Sequence, residues 1–86
     1  MIAELYTSAF CGPCHATRAV LAEAERLVPA LRVEEFDVVR HEDRAAAESI
    51  ASTPTVIVRD AAGAQVLRAE GVPTVPQVLQ ALAAAL

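Results

Sequence analysis

The sequence predicts an α/β sandwich in which three helices cover a mixed four-stranded sheet, in the order β-α-β-α-β-β-α. Three observations carry this reading. Residues 2–38 read as strand, helix and strand at the spacing of a right-handed parallel crossover. A Val/Ile-rich strand at Thr55–Arg59 runs into turn residues and a returning strand. The chain then closes on apolar residues with helical period.

In order, Ile2, Glu4 and Tyr6 alternate with Ala3, Leu5 and Thr7, as in a short buried strand. Ser8-Ala9-Phe10 delivers Cys11. From Cys11 to about Leu27, the residues Val20, Leu21, Leu27 and the alanines between them fit an amphipathic helix, with Arg18, Glu23, Glu25 and Arg26 on its wet face. Pro13 is tolerated because it falls in the first turn, where the N–H it lacks has no intrahelical partner. Pro29 ends the helix. Arg32–Val38 alternates weakly as a second strand, and Arg40-His41-Glu42-Asp43-Arg44 reads as a solvated connection leading to a short helix at Ala45–Ala51. Ser52-Thr53-Pro54 precedes the third strand, Asp60-Ala61-Ala62-Gly63 supplies a turn, and Gln65–Ala69 returns as a hairpin. Gly71-Val72-Pro73 breaks the chain. Thr74 then caps a helix carrying Val75, Val78, Leu79, Leu82 and Leu86. The predicted core takes Tyr6, Phe36, Val56, Ile57, Val58, Leu79 and Leu82, with Asp37 and Asp60 as turn or cap residues. With no repeat or linker, residues 1–86 are read as one domain.

Composition narrows the function. Hydrophobic residues make up 55 %, but 19 of them are Ala, which favours close helix packing over a roomy cavity. Seven Arg and no Lys stand against eleven acidic residues, for a net charge of −4 with no basic block. Nucleic acid and anionic membrane are poor partners for such a surface. No stretch approaches the roughly 20 apolar residues of a membrane span, and Met1 leads into a strand without a basic flank or cleavage site. The expectation is a soluble cytoplasmic protein.

In that reducing compartment two cysteines are metal ligands or redox-active rather than a passive staple. Cys11 and Cys14 are the only two, and they flank Gly12-Pro13 where the first strand gives way to the first helix. A cysteine at a helix start faces unsatisfied N–H groups and the positive end of the helix dipole, and both favour thiolate. The second sulfur, one turn on, is within reach of a disulfide. This points to a redox couple; an inert thiol pair and a metal half-site share the spacing. Cys11-Gly12-Pro13-Cys14-His15 also satisfies the c-type haem signature. Against haem, the only methionine is Met1, and the strand-rich middle does not suit a small helical cytochrome. Zinc through Cys11, Cys14, His15 and His41 lacks finger spacing. His15 reads as a surface helix residue, or as an imidazolium that tunes the neighbouring thiolate.

Phe10-Cys11-Gly12-Pro13-Cys14, followed by Thr53-Pro54-Thr55 at the head of a hydrophobic strand, resembles the thioredoxin superfamily over nearly the whole chain. Gly12-Pro13 is the dipeptide of thioredoxins, while the length is similar to the minimal, glutaredoxin-sized core. The resemblance implies a minimal thioredoxin fold. It implies that Cys11 attacks a target disulfide, that Cys14 resolves the mixed disulfide, and that no cofactor or metal is needed beyond that pair. It implies a cis Pro54 facing the sulfurs, with Thr53 free to pair with substrate, and substrate contacts from Phe10, Gly12, Pro13, Gly71 and Val72. Three positions depart from the pattern. Phe10 replaces the usual Trp, Leu5 stands where thioredoxins bury an Asp that serves proton transfer, and His15 replaces a Lys or Arg. Glu4 is next to Leu5, but strand alternation turns it to the opposite face.

The function implied is a monomeric thiol-disulfide oxidoreductase that reduces protein disulfides and is recharged by an NADPH-linked flavoprotein. The alternatives are a glutathione-dependent glutaredoxin and a redox-sensing binding module with little turnover. The first lacks the usual Gly-Gly pair in the third loop, which reads Gly71-Val72-Pro73.

Overall fold

A computed structural model describes residues 1–86. Strands β1 (Ile2–Thr7), β2 (Arg32–Asp37), β3 (Thr55–Arg59) and β4 (Gln65–Glu70) form one sheet in the order β2-β1-β3-β4. β1 pairs parallel with β2 and antiparallel with β3, and β3 pairs antiparallel with β4. Helices α1 (Gly12–Leu27), α2 (Glu42–Ala47) and α3 (Val75–Ala84) complete the predicted order. No helix is long and apolar enough to cross a membrane.

Alternation along β1 and β3 divides the sheet into two unlike faces. Ala3, Leu5, Val56 and Val58 point to one, where they meet Leu21 and Ala24 of α1 and Val78 and Leu82 of α3 in the main core. Alanines at 24 and 81 leave the helices room to lie close on the sheet. α3 starts with a capping box: Thr74 Oγ1 accepts the Gln77 N–H, and Gln77 Oε1 accepts the Thr74 N–H. Two orphan donors are thereby satisfied at the point where the sequence predicts the cap.

The other face carries charge. Glu4, only 4 % exposed, accepts from Arg44 Nη2 at 2.7 Å and lies 3.3 Å from Arg59 Nε, and Arg59 also pairs with Glu48. The Tyr6 hydroxyl donates to Glu4 at 3.2 Å, and its ring stacks on Phe36, over which the Arg44 guanidinium lies at 4.1 Å. The six-residue α2 reaches this face through Arg44. A buried carboxylate needs partners of opposite charge, and two arginines from distant parts of the chain provide them.

Tyr6 is the sole tyrosine, and burial pushes its pKa above the ordinary value, with the Arg44 hydrogen bond opposing. The folded chain therefore keeps the phenolic proton to higher pH than the unfolded chain does. Its stabilising effect is complete below about pH 10 and is lost as pH rises through the folded value. Urea midpoints are expected to decline above about pH 10 in step with tyrosinate absorbance. Tyr6→Phe should remove that part of the alkaline decline.

Several boundaries differ from the sequence reading. β2 stops at Asp37, before Val38, because Asp37 Oδ1 accepts the N–H groups of Val39 and Arg40 and turns the chain. α2 spans Glu42–Ala47 rather than Ala45–Ala51, so part of the charged run is its first turn, where Glu42 and Asp43 suit the helix dipole. It ends because Ser49 adopts φ +55°, with Ser49 N–H bonded to Ala46 O and Ile50 N–H to Ala45 O, the Schellman arrangement usually built on glycine. Ser49→Gly is expected to stabilise the fold by about 0.5 kcal/mol, read as a higher urea midpoint, because glycine occupies this region without a Cβ clash. β4 extends to Glu70, Leu86 lies exposed beyond α3, and Phe36 and Leu79 are half-buried rather than core.

Candidate active site

Cys11 is the N-cap of α1, with extended backbone at φ −96° and ψ 100°. Its Sγ accepts the Cys14 N–H at 3.1 Å, one of the helix-start donors that would otherwise lack a partner. The two sulfurs are joined in a disulfide, with Cα atoms 5.3 Å apart. Cys14 is fully buried, whereas Cys11 is part-exposed. A partner sulfur can therefore approach Cys11 and cannot approach Cys14. Pro13 sits in the first turn as expected, and its carbonyl accepts the buried Thr17 hydroxyl at 2.9 Å.

Phe10 precedes this turn at φ +58° with its side chain fully exposed, at 106 %. A bulky residue in the left-handed region costs about 1–2 kcal/mol, so an apolar ring is held out in water on a strained backbone. Nothing in the sequence signals that conformation.

Three loops are tied together where β1 leads into the Cys11 turn. The Ser8 and Thr53 hydroxyls lie 2.6 Å apart and tie the loop after β1 to the loop before β3. The Thr53–Pro54 peptide is cis, and the N–H and C=O of Thr53 bond to no other group of the chain. Gly71 N–H donates to Pro54 O at 2.9 Å and brings the third loop, with half-exposed Val72, beside Pro54. Gly71 has φ +93° and open space where a Cβ would stand, so its backbone conformation is what calls for glycine. His15 is exposed on α1 and hydrogen-bonds to nothing. His41 packs edge-on to Phe36, with ring centroids 5.3 Å apart.

The structure adds residues that sequence reading did not assign to the site. An open groove of about 580 Å³ runs beside the disulfide, lined by residues 7–12 and by Arg18, Glu35, Asp37 and Arg40. Arg18 holds Glu35 in a two-pronged pair at 2.7 and 2.8 Å, and Thr7 Oγ1 donates to Glu35 at 3.1 Å. The Arg18 hydrogen bond, helped by Thr7, holds the Glu35 carboxyl below its usual range. The N–H groups of Arg40 and Val39 do the same for Asp37. The parallel register, which sets Leu5 opposite Glu35 and Thr7 opposite Asp37, brings the two carboxylates into the groove that Cys11 lines, and α1 itself carries Arg18 there. Leu5 itself lies in the main core, and the buried carboxylate of Glu4 is committed to arginines on the opposite face.

Solved structures share this fold. Thioredoxin-2, described as a component of malaria parasite protein secretion machinery, is 14 % identical with a TM-score of 0.86, the match covering 96 % of this chain and 81 % of the other. Thioredoxin 1 of the thermophilic eubacterium Thermosipho africanus is 19 % identical with a TM-score of 0.82, covering 98 % and 92 %. Oxidised mitochondrial thioredoxin 3 of Saccharomyces cerevisiae is 22 % identical with a TM-score of 0.74, covering 92 % and 72 %. No curated protein sequence matches significantly. The glutaredoxin family match and a disulfide at a helix start together define a thiol-disulfide oxidoreductase of the thioredoxin superfamily, whose redox centre is the cysteine pair itself. The glutaredoxin family model matches residues 3–80, and the chain belongs to that family.

Proposed function

We propose that this oxidoreductase reduces disulfides in protein substrates in the cytoplasm, acting as a monomer recharged by an NADPH-linked flavoprotein reductase. The observation that carries this reading is the exposure asymmetry of the dithiol: a part-exposed Cys11, next in the chain to the fully exposed ring of Phe10, and a fully buried Cys14. In the reduced protein the Cys11 thiolate attacks one sulfur of the target disulfide. The other target sulfur leaves with the bonding electron pair and takes a proton. Cys14 then loses its proton and attacks Cys11 Sγ, which releases the second target thiol and leaves the Cys11–Cys14 disulfide. Two electrons and two protons pass to the target. The Cys14 N–H and the α1 dipole favour the Cys11 thiolate, and His15, one turn on, would add to them when protonated.

The unpaired N–H and C=O of Thr53 suit an extended substrate segment laid past Pro54. Phe10, Gly12, Pro13, Gly71 and Val72 form the surrounding contact surface. Phe10→Gly separates the ring's role from the fold's. Relief of the left-handed strain should raise stability by about 1 kcal/mol, whereas KM for a protein disulfide should rise roughly five-fold through lost apolar contact. Urea titration and steady-state kinetics read the two effects.

Family membership favours a second reading, turnover with glutathione. Gly12-Pro13 between the cysteines and Gly71-Val72-Pro73 in the third loop weigh toward the first. Insulin reduction should proceed when NADPH and a flavoprotein thioredoxin reductase supply electrons. Turnover with glutathione and its reductase alone would overturn the choice of donor.

A further inference from the structure

One hydrogen bond links the loop that carries the nucleophile to the loop that receives the substrate, and both of its ends are side-chain hydroxyls. Ser8 follows directly on β1 and precedes Cys11 by three residues. Its place is set by the strand, whose last residue, Thr7, accepts the Val38 N–H on its carbonyl at 2.9 Å. Thr53 faces it with the two hydroxyls 2.6 Å apart, and the pair is part-buried. The backbone on either side of Thr53 is held by other bonds: Ser52 O accepts the Thr55 hydroxyl at 2.8 Å, and Pro54 O accepts the Gly71 N–H at 2.9 Å. Those bonds tie the segment to β3 and to the third loop. Neither reaches the Cys11 turn. Because the N–H and C=O of Thr53 bond to nothing in the chain, its hydroxyl is the polar group that holds this residue to the segment ending in Cys11.

We propose that Ser8 is a positioning residue that acts through Thr53 and sets where an extended substrate backbone lies relative to Cys11 Sγ. The inference rests on the disulfide-reducing reading above. A substrate segment bonded to the Thr53 N–H and C=O brings its sulfur to Cys11 when the two loops keep a fixed separation. A drift of about an ångström is enough to slow a reaction that depends on alignment. The Ser8–Thr53 bond fixes that separation before the substrate arrives, so less ordering remains to be done on binding. A disulfide too small to reach Thr53 gains nothing from it. Ser8 therefore acts on the choice between peptide and small-molecule disulfides rather than on the chemistry of the sulfurs.

The test is single-turnover reduction by the prereduced protein, which needs no electron donor. The substrates are a cystine-bridged peptide and bis(hydroxyethyl) disulfide, with aliquots acid-quenched and alkylated for mass analysis. Each variant is scored by the ratio of its rate constant for the peptide to that for the small disulfide, which cancels any loss of folded protein. In Ser8→Ala this ratio should fall about five-fold, the contribution of one hydrogen bond of ordinary strength. Thr53→Val, which lacks the hydroxyl but keeps the shape, should lower it as much, and the double variant should lower it no further. Thr53→Ser, which keeps the hydroxyl without added bulk, should match the wild type. An unchanged ratio in Ser8→Ala overturns the proposal, because Ser8 would then serve the fold or the Cys11 thiolate. Losses that multiply in the double variant also overturn it, because the two hydroxyls would then act separately. If the wild type reduces the small disulfide but not the peptide, the protein-substrate reading falls and the Ser8 assignment falls with it. Failure of the assignment alone leaves wild-type reduction of the peptide intact.

Discussion

Cys11→Ser is expected to abolish disulfide reduction, with kcat/KM lower on the order of a thousand-fold or more. A serine hydroxyl stays protonated where a thiol ionises, and its oxygen does not replace sulfur in the exchange chain. Cys14→Ser should fail differently. Its Cys11 still attacks, but nothing resolves the product, so each molecule stops after one turn as a mixed disulfide visible as a mass adduct that dithiothreitol releases. This contrast follows from burial: Cys14 is closed to partners and reaches only Cys11. An adduct on Cys14 in Cys11→Ser, formed as readily as that on Cys11 in Cys14→Ser, would contradict the assignment of roles.

The second large effect is on stability. Glu4→Ala removes the carboxylate shared by Arg44 and Arg59 and leaves the inner ends of two guanidinium groups and the Tyr6 hydroxyl without their acceptor. Breaking one side of a buried ion pair costs about 3 kcal/mol. For a chain of 86 residues with total stability roughly 5–10 kcal/mol, that is a large share. The urea midpoint should fall accordingly, while the folded fraction keeps its disulfide-reducing rate, since Glu4 and the dithiol lie on opposite sides of the sheet. A change below about 0.5 kcal/mol, the size of a typical surface substitution, would show that the arginines are satisfied without Glu4.

Legibility in the sequence followed the range of the interactions. β1, β3 and the β3–β4 hairpin were readable because alternation and turn chemistry are local, and α3 because its cap and apolar stripe lie within twelve residues. The end of α2 was hidden because serine occupies a left-handed position that usually announces itself as glycine. Cys11, Cys14 and Pro54 stood out as punctuation at strand and helix ends. Glu35 and Arg40 did not, since they line the groove with Cys11 only through the parallel register of β1 and β2, and Arg18, on the same helix as Cys14, did not because its charge resembles that of any wet surface. Burial of Glu4 was likewise unreadable. Alternation gave its face, but the two arginines that stabilise it come from α2 and β3.

The most direct test of the central claim is the reduction potential of the Cys11–Cys14 pair, measured by equilibrating the protein in dithiothreitol and glutathione redox buffers and trapping free thiols for mass analysis. A reductant of protein disulfides should show one reversible two-electron transition near that of thioredoxin, roughly −270 mV. A potential above about −200 mV would instead mark an oxidant or sensor. If no intramolecular disulfide forms under any buffer, the dithiol mechanism is wrong.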